Sequence, residues 1–144
     1  MVFNPGWRSG RETMALQPRT VFVTLVDETE GSLTQFYQQL FGQPPTVYLP
    51  RVYTEFQLPG LRLGIFKPKA EHQPEFAASS RVGMSLCIEV EQLETAIEHL
   101  TQMGYPPPGT IIPASHGREI YAYDPAGNRL ILHEPIILPQ SPFS

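Results

Sequence analysis

Apolar and polar positions along the chain follow one pattern that runs twice. From Thr20 to Val26, TVFVTLV is an unbroken apolar and β-branched run, the signature of a strand entering a core. DETEGS follows with acidic and turn-forming residues, and Leu33, Phe36, Tyr37 and Leu40 then recur at helical spacing until Gly42. After Pro44 and Pro45, VYLPRVYTEFQ predicts one or two strands interrupted by Pro50, and LPGL turns tightly into LRLGIF to make a hairpin. Residues 67–81, KPKAEHQPEFAASSR, are polar and aperiodic, which predicts a linker over the surface. The pattern then restarts. VGMSLCIEV predicts a strand, and Leu93, Ile97, Leu100 and Met103 mark a helix that stops at Gly104. GYPPPGTIIP mirrors the earlier proline break and short strand, REIYAY is a strand, DPAGN a turn and RLILHEP the closing strand.

Each half therefore reads strand, helix, then three strands, an internal repeat covering most of the chain. The expectation is an α+β fold of two βαβββ modules, residues 19–66 and 82–135, with eight strands and two helices, joined by the linker at 67–81. Residues 1–18 are expected to be an arm, either disordered or upstream of a true start at Met14, and residues 136–144 a frayed tail.

Composition narrows the partners. A 41% hydrophobic, 17% charged chain of 144 residues can bury a core by itself. A net charge of −4 provides no basic face for nucleic acid. No apolar run reaches the length of a membrane span. The single cysteine, Cys87, excludes an intrachain disulfide and suits a reducing compartment, so the expected location is cytoplasmic. The sixteen prolines argue for many turns and against a helical bundle.

FVTLVDETEGSLTQFYQQLFG, SLCIEVEQLETAIEHLTQMGY and HGREIYAYDPAGNRLILHEP together resemble the vicinal oxygen chelate superfamily of glyoxalases, bleomycin resistance proteins and extradiol dioxygenases. The most specific piece is the DPxGN turn followed by a strand ending in EP. The resemblance implies paired βαβββ modules curved around a cavity. In the family's enzymes, one divalent metal is usually held there by His, Glu or Gln from the first and last strands of each module. Carried over position by position, those ligand sites fall on Phe22, Gly64, Ser85 and Ile131. None is a normal ligand, and a one-residue slip brings only Val21, Val23, Met84 or Leu130 into play, so no metal or other cofactor is expected.

Strand alternation and hairpin register indicate what faces the cavity instead. Across the Pro59–Gly60 turn, Gln57 should oppose Arg62, Glu55 oppose Gly64, and Tyr53 oppose Phe66. Across DPAGN, Tyr123 should oppose Arg129, Tyr121 oppose Ile131, and Glu119 oppose His133. The expected cavity wall is then Phe22, Thr24, Tyr53, Glu55, Arg62, Phe66, Ser85, Cys87, Glu119, Tyr121, Arg129 and His133, aromatic and charged groups that suit a partly apolar, partly polar small molecule.

Several residues carry two readings. Glu119 and His133 are candidate catalytic residues, as a general base or an unusual metal pair, against a plain pair near the sheet edge. Tyr121 contacts ligand or simply packs. His116, in the loop SHGRE, closes over the cavity mouth or is solvated. Arg62 meets an anionic ligand or pairs with Glu55. Cys87 is expected to be a packed thiol, and His72 and His99 to be solvated.

The resemblance and the missing ligands together imply a homodimeric protein that binds a small molecule without metal, similar to the family's drug-binding resistance proteins. Two alternatives remain open. One is a metal-dependent lyase, isomerase or ring-cleaving dioxygenase using Glu55, Glu119, His116 and His133. The other is metal-independent acid and base chemistry by Glu119, His133 and Tyr121.

Overall fold

The computed structural model describes residues 16–77 and 83–136. Most of the arm and nearly all of the tail fall outside those residues, as does the Met14 start. Chain order is β1 (Val23–Val26), α1 (Ser32–Phe41), β2 (Val47–Leu49), β3 (Tyr53–Leu58) and β4 (Leu61–Phe66). A 3₁₀ helix (Ala70–Phe76) follows, then β5 (Leu86–Glu89), α2 (Leu93–Met103), β6 (Ile112–Ala114), β7 (Gly117–Tyr123) and β8 (Arg129–Pro135). The strands form two four-stranded mixed sheets with the same order, β1-β4-β3-β2 and β5-β8-β7-β6. The repeat read from the sequence is thus a structural repeat, and the fold is α+β with eight strands.

Within the expected linker, Ala70–Phe76 forms a 3₁₀ helix with no buried residue. Pro74 sits inside it and lacks the N–H that a longer α-helix would need, so the segment closes as short turns such as His72 N–H to Lys69 O at 2.8 Å. The first strand also starts later than TVFVTLV suggests: Phe22 precedes β1 and is exposed.

Alternation along each hairpin decides which side is buried. Phe56, Leu58, Leu63 and Ile65 of the first sheet, and Ile120, Ala122, Leu130 and Leu132 of the second, point toward the helices. Leu33, Phe36 and Tyr37 of α1, with Leu93 and Leu100 of α2, complete the core. The two modules meet at these helices. Phe36 packs edge-on against Tyr105 at 5.1 Å, and the buried Tyr37 hydroxyl donates to Asp124 Oδ2 at 2.6 Å. Asp124 also accepts from the backbone N–H groups of Ala126 and Asn128, both at 2.9 Å, so one carboxylate closes the DPAGN turn and joins it to α1. Burial, then the charge of Asp124, raises the Tyr37 pKa and keeps the phenol neutral. His99, expected to be solvated, places a ring nitrogen 3.0 Å from the Gln39 carbonyl across the same helix contact.

With the helices behind both sheets, the opposite strand positions face outward. All six expected hairpin pairs occur, from Tyr53↔Phe66 through Glu119↔His133.

Candidate functional site

The expected wall residues are distributed over both sheets, and two of the aromatic ones are partly exposed: Phe22 is 39% and Tyr121 40% exposed. A groove of about 1120 Å³ lies elsewhere, between α1 and β2, and it takes only Tyr53 and Phe66 from the expected set.

On the first sheet, Tyr53, Glu55 and Arg62 converge with Phe22. The Arg62 guanidinium carbon lies 4.1 Å from the centroid of the Phe22 ring, a cation–π stack. Its Nε is buried without a hydrogen-bond partner, 3.7 Å from Glu55 Oε1. That distance makes the contact an ion pair. Tyr53 donates to the same Glu55 oxygen at 2.7 Å. Partial desolvation, then this hydrogen bond, raises the Tyr53 pKa. The phenol ring covers Gly64, where a Cβ would sit 2.7 Å from the hydroxyl oxygen. Phe66 meets Phe76 of the 3₁₀ helix edge-on at 5.3 Å. Sequence reasoning passed over Phe76 because it lies in the aperiodic stretch.

On the second sheet, Arg129 Nε donates to Ser85 Oγ at 2.6 Å, joining two of the expected residues. Tyr121 and Tyr123 stand outward beside them. Cys87 is exposed rather than packed, because β5 is the edge strand of its sheet. Partial desolvation, then the charges of Glu119 and Glu89, raises the Cys87 pKa, the opposite of what a nucleophilic thiolate needs.

His133 is not at a sheet edge. It lies on β8 between β5 and β7 and is 8% exposed. Its Nδ1 lies 3.7 Å from Glu89 Oε2 and its Nε2 has no hydrogen-bond partner, which for a buried polar atom costs about 1–3 kcal/mol. The register sets Glu119 opposite it, but the imidazole closest to the Glu119 carboxylate is that of His116, with Nε2 3.9 Å from Oε1. The His116 and His133 rings lie 4.7 Å apart, and one donor atom from each of His116, Glu119 and His133 falls within 4.8 Å of the others. Gly117 makes this approach possible: at φ 150°, a Cβ would collide with the Glu134 carbonyl oxygen. The signals missed in the sequence were Gly117, which sets the turn, and Glu89, whose role follows from the β5–β8 pairing.

The four residues that the family resemblance sets at the usual metal positions do not suit a metal ion. Phe22, Gly64 and Ile131 offer no donor, the Tyr53 ring fills the space over Gly64, and the Ser85 hydroxyl is engaged by Arg129.

Paired βαβββ modules with this strand order are an architecture that solved glyoxalase-related structures share. A glyoxalase-related enzyme from Fulvimarina pelagi matches at 22% identity and a TM-score of 0.67, over 87% of this chain and 94% of that one. A glyoxalase/bleomycin resistance protein from Catenulispora acidiphila matches at 22% identity and a TM-score of 0.58, over 81% and 97%. A mutant fosfomycin resistance protein, FosX, from Listeria monocytogenes, complexed with manganese(II) and a dihydroxypropylphosphonic acid, matches at 18% identity and a TM-score of 0.65, over 84% and 94%. The chain has the vicinal oxygen chelate fold that these proteins share. No family model matches the sequence, and no curated protein does.

Proposed function

We propose that the protein binds a small, partly apolar anion on the outer face of its first sheet, without a metal at the family's usual position. The observation that carries this reading is the Arg62 guanidinium stacked on Phe22, with a buried Nε that lacks a hydrogen bond. A guanidinium fork pairs with a carboxylate or phosphonate in fixed geometry, while Phe22, Tyr53 and Phe66 accept the apolar part of the molecule. Glu55 steadies the arginine and rejects a second anion. Likeness to a glyoxalase/bleomycin resistance protein supports small-molecule binding in this fold.

The working form is a homodimer in the cytoplasm. Val21 at 81%, Met84 at 70% and Tyr48 at 59% exposure are large apolar side chains that a second copy would cover. No helix among the described residues is long and apolar enough to cross a membrane.

The test is a thermal-shift screen of aromatic carboxylates and phosphonates against EDTA-treated protein. A ligand at one hundred times its Kd stabilises the fold by about 2.7 kcal/mol, several degrees in Tm. Arg62→Ala is expected to lose at least tenfold in affinity for every hit. If each stabilising compound needs an added divalent ion, or binds Arg62→Ala equally well, the reading fails.

A second reading, a metal-dependent lyase, isomerase or dioxygenase with non-standard ligands, is favoured by one observation, the His116, Glu119 and His133 cluster. A divalent ion held there would act as a Lewis acid for a substrate lying against Tyr121.

A further inference from the structure

We propose that His116, Glu119 and His133 are the ligands of a divalent-metal site on the outer face of the second sheet. It is displaced from Ser85 and Ile131, where the family's pattern would place a metal in this module.

The donor set is two imidazoles and one carboxylate, which suits zinc, cobalt, nickel or ferrous ion better than calcium or magnesium. The three donors fall within 4.8 Å of one another. A metal about 2.1 Å from each ligand atom holds the donors roughly 3–3.5 Å apart, so they must close by about 1.5 Å. The required movement falls where the site is most open: the His116 side chain is 67% exposed, whereas Glu119 is 19% exposed.

The fixed point is His133. Its side chain is only 10% exposed, and its Nε2 has no hydrogen-bond partner. That nitrogen lies 3.0 Å from where a Cβ on Gly117 would stand, so the missing side chain leaves it accessible to the His116 turn. On the far side of the ring, Glu89 Oε2 lies 3.7 Å from Nδ1, and a small closure would let this carboxylate accept the hydrogen bond that orients a metal-bound imidazole. Backbone contacts hold the other half of the site in place: Ile136 N–H donates to the His116 carbonyl at 3.0 Å, clasping the turn to the end of β8. A divalent ion would also offset the two carboxylates, Glu119 and Glu89, that face this corner. Three protein ligands on a solvent-facing surface leave coordination positions for water or a small oxygen ligand.

This site is independent of the anion-binding reading, since it lies on the other sheet and shares no residue with the Arg62 face. The experiment uses the full chain stripped with EDTA and titrated with cobalt(II), followed by visible d–d absorption, with zinc(II) competition for affinity. One equivalent per chain is expected. His116→Ala and Glu119→Gln should each weaken binding by about 10–100-fold or more, the range for losing even a supporting group at a metal site. His116 is exposed, so its replacement should leave the melting temperature of the metal-free protein unchanged. A double variant, His72→Ala with His99→Ala, should bind as the parent does, and so should Arg62→Ala. Absence of cobalt absorption in the parent overturns the proposal. So does stoichiometric binding that survives both His116→Ala and Glu119→Gln, or that is lost in the His72 and His99 variant. None of these outcomes alters the expected effect of Arg62→Ala on anion binding.

Discussion

Gly117 and Gly64 both lie close to neighbouring atoms, and the neighbour decides what a methyl group at each would cost. At Gly64 the obstacle is the tip of the Tyr53 side chain, which can swing aside. At Gly117 it is the backbone of Glu134, and φ is 150°. Gly64→Ala is therefore expected to cost under about 1 kcal/mol while freeing Glu55 from its phenol. Gly117→Ala should cost about 2–3 kcal/mol or more, because the β7–β8 pairing itself must shift. Chemical denaturation of the two variants checks this, and equal losses would contradict it. Both glycines were visible in the sequence, but Gly64 stood there only as a missing ligand. What covers it depends on the Tyr53 rotamer, which no sequence pattern specifies.

At the scale of elements, the start of α2 is tied to the end of β8 by charge. Arg118 donates to Glu94 at 2.7 and 2.9 Å and to Glu134 at 2.9 and 3.2 Å, and Glu134 Oε1 accepts from the Leu93 N–H at 2.8 Å. These bonds cap α2, which has no capping side chain of its own at Gln92. The hydrogen bonds from Arg118 hold the Glu94 pKa down at about 2, from an ordinary 4.5, and lower that of Glu134 as well. A carboxylate whose pKa is depressed by folding stabilises the fold above its unfolded pKa, and the contribution fades as pH falls through the folded value. The Tm difference between parent and Glu94→Gln should accordingly be present at neutral pH, shrink below 4.5 and vanish near 2. Because the Glu94 side chain is 65% exposed, the difference should be small and should decrease with added salt. A Tm difference that stays constant across this pH range would remove Glu94 from the cap. The helices were legible from their apolar spacing and terminal glycines. The cap was not, since Arg118 and Glu134 meet only through the β7–β8 register.

At the scale of the molecule, two outward sheet faces and several exposed apolar side chains remain when one chain has folded. Light scattering on the purified full-length protein is expected to give twice the chain mass of 16.2 kDa. A charge on the open face, as in Met84→Glu, should shift that mass toward the monomer, since burying an unpaired charge in an apolar contact is costly. A monomeric parent protein would leave the faces open in solution and refute the dimer.

Local periodicity was enough to determine the repeat, the strand and helix order and both hairpin registers. A two-residue strand period and a tight turn leave only one pairing that buries the apolar side. The family resemblance, not periodicity, implied that the usual metal positions fall on Phe22, Gly64, Ser85 and Ile131. The sequence could not show how the modules meet, with Tyr37 bonded to Asp124 and Phe36 packed on Tyr105, because those residues lie far apart along the chain. Nor could it bring His116 to His133. That approach depends on one glycine in one turn, where a backbone passes too close for any side chain, and it exists only once β7 lies against β8.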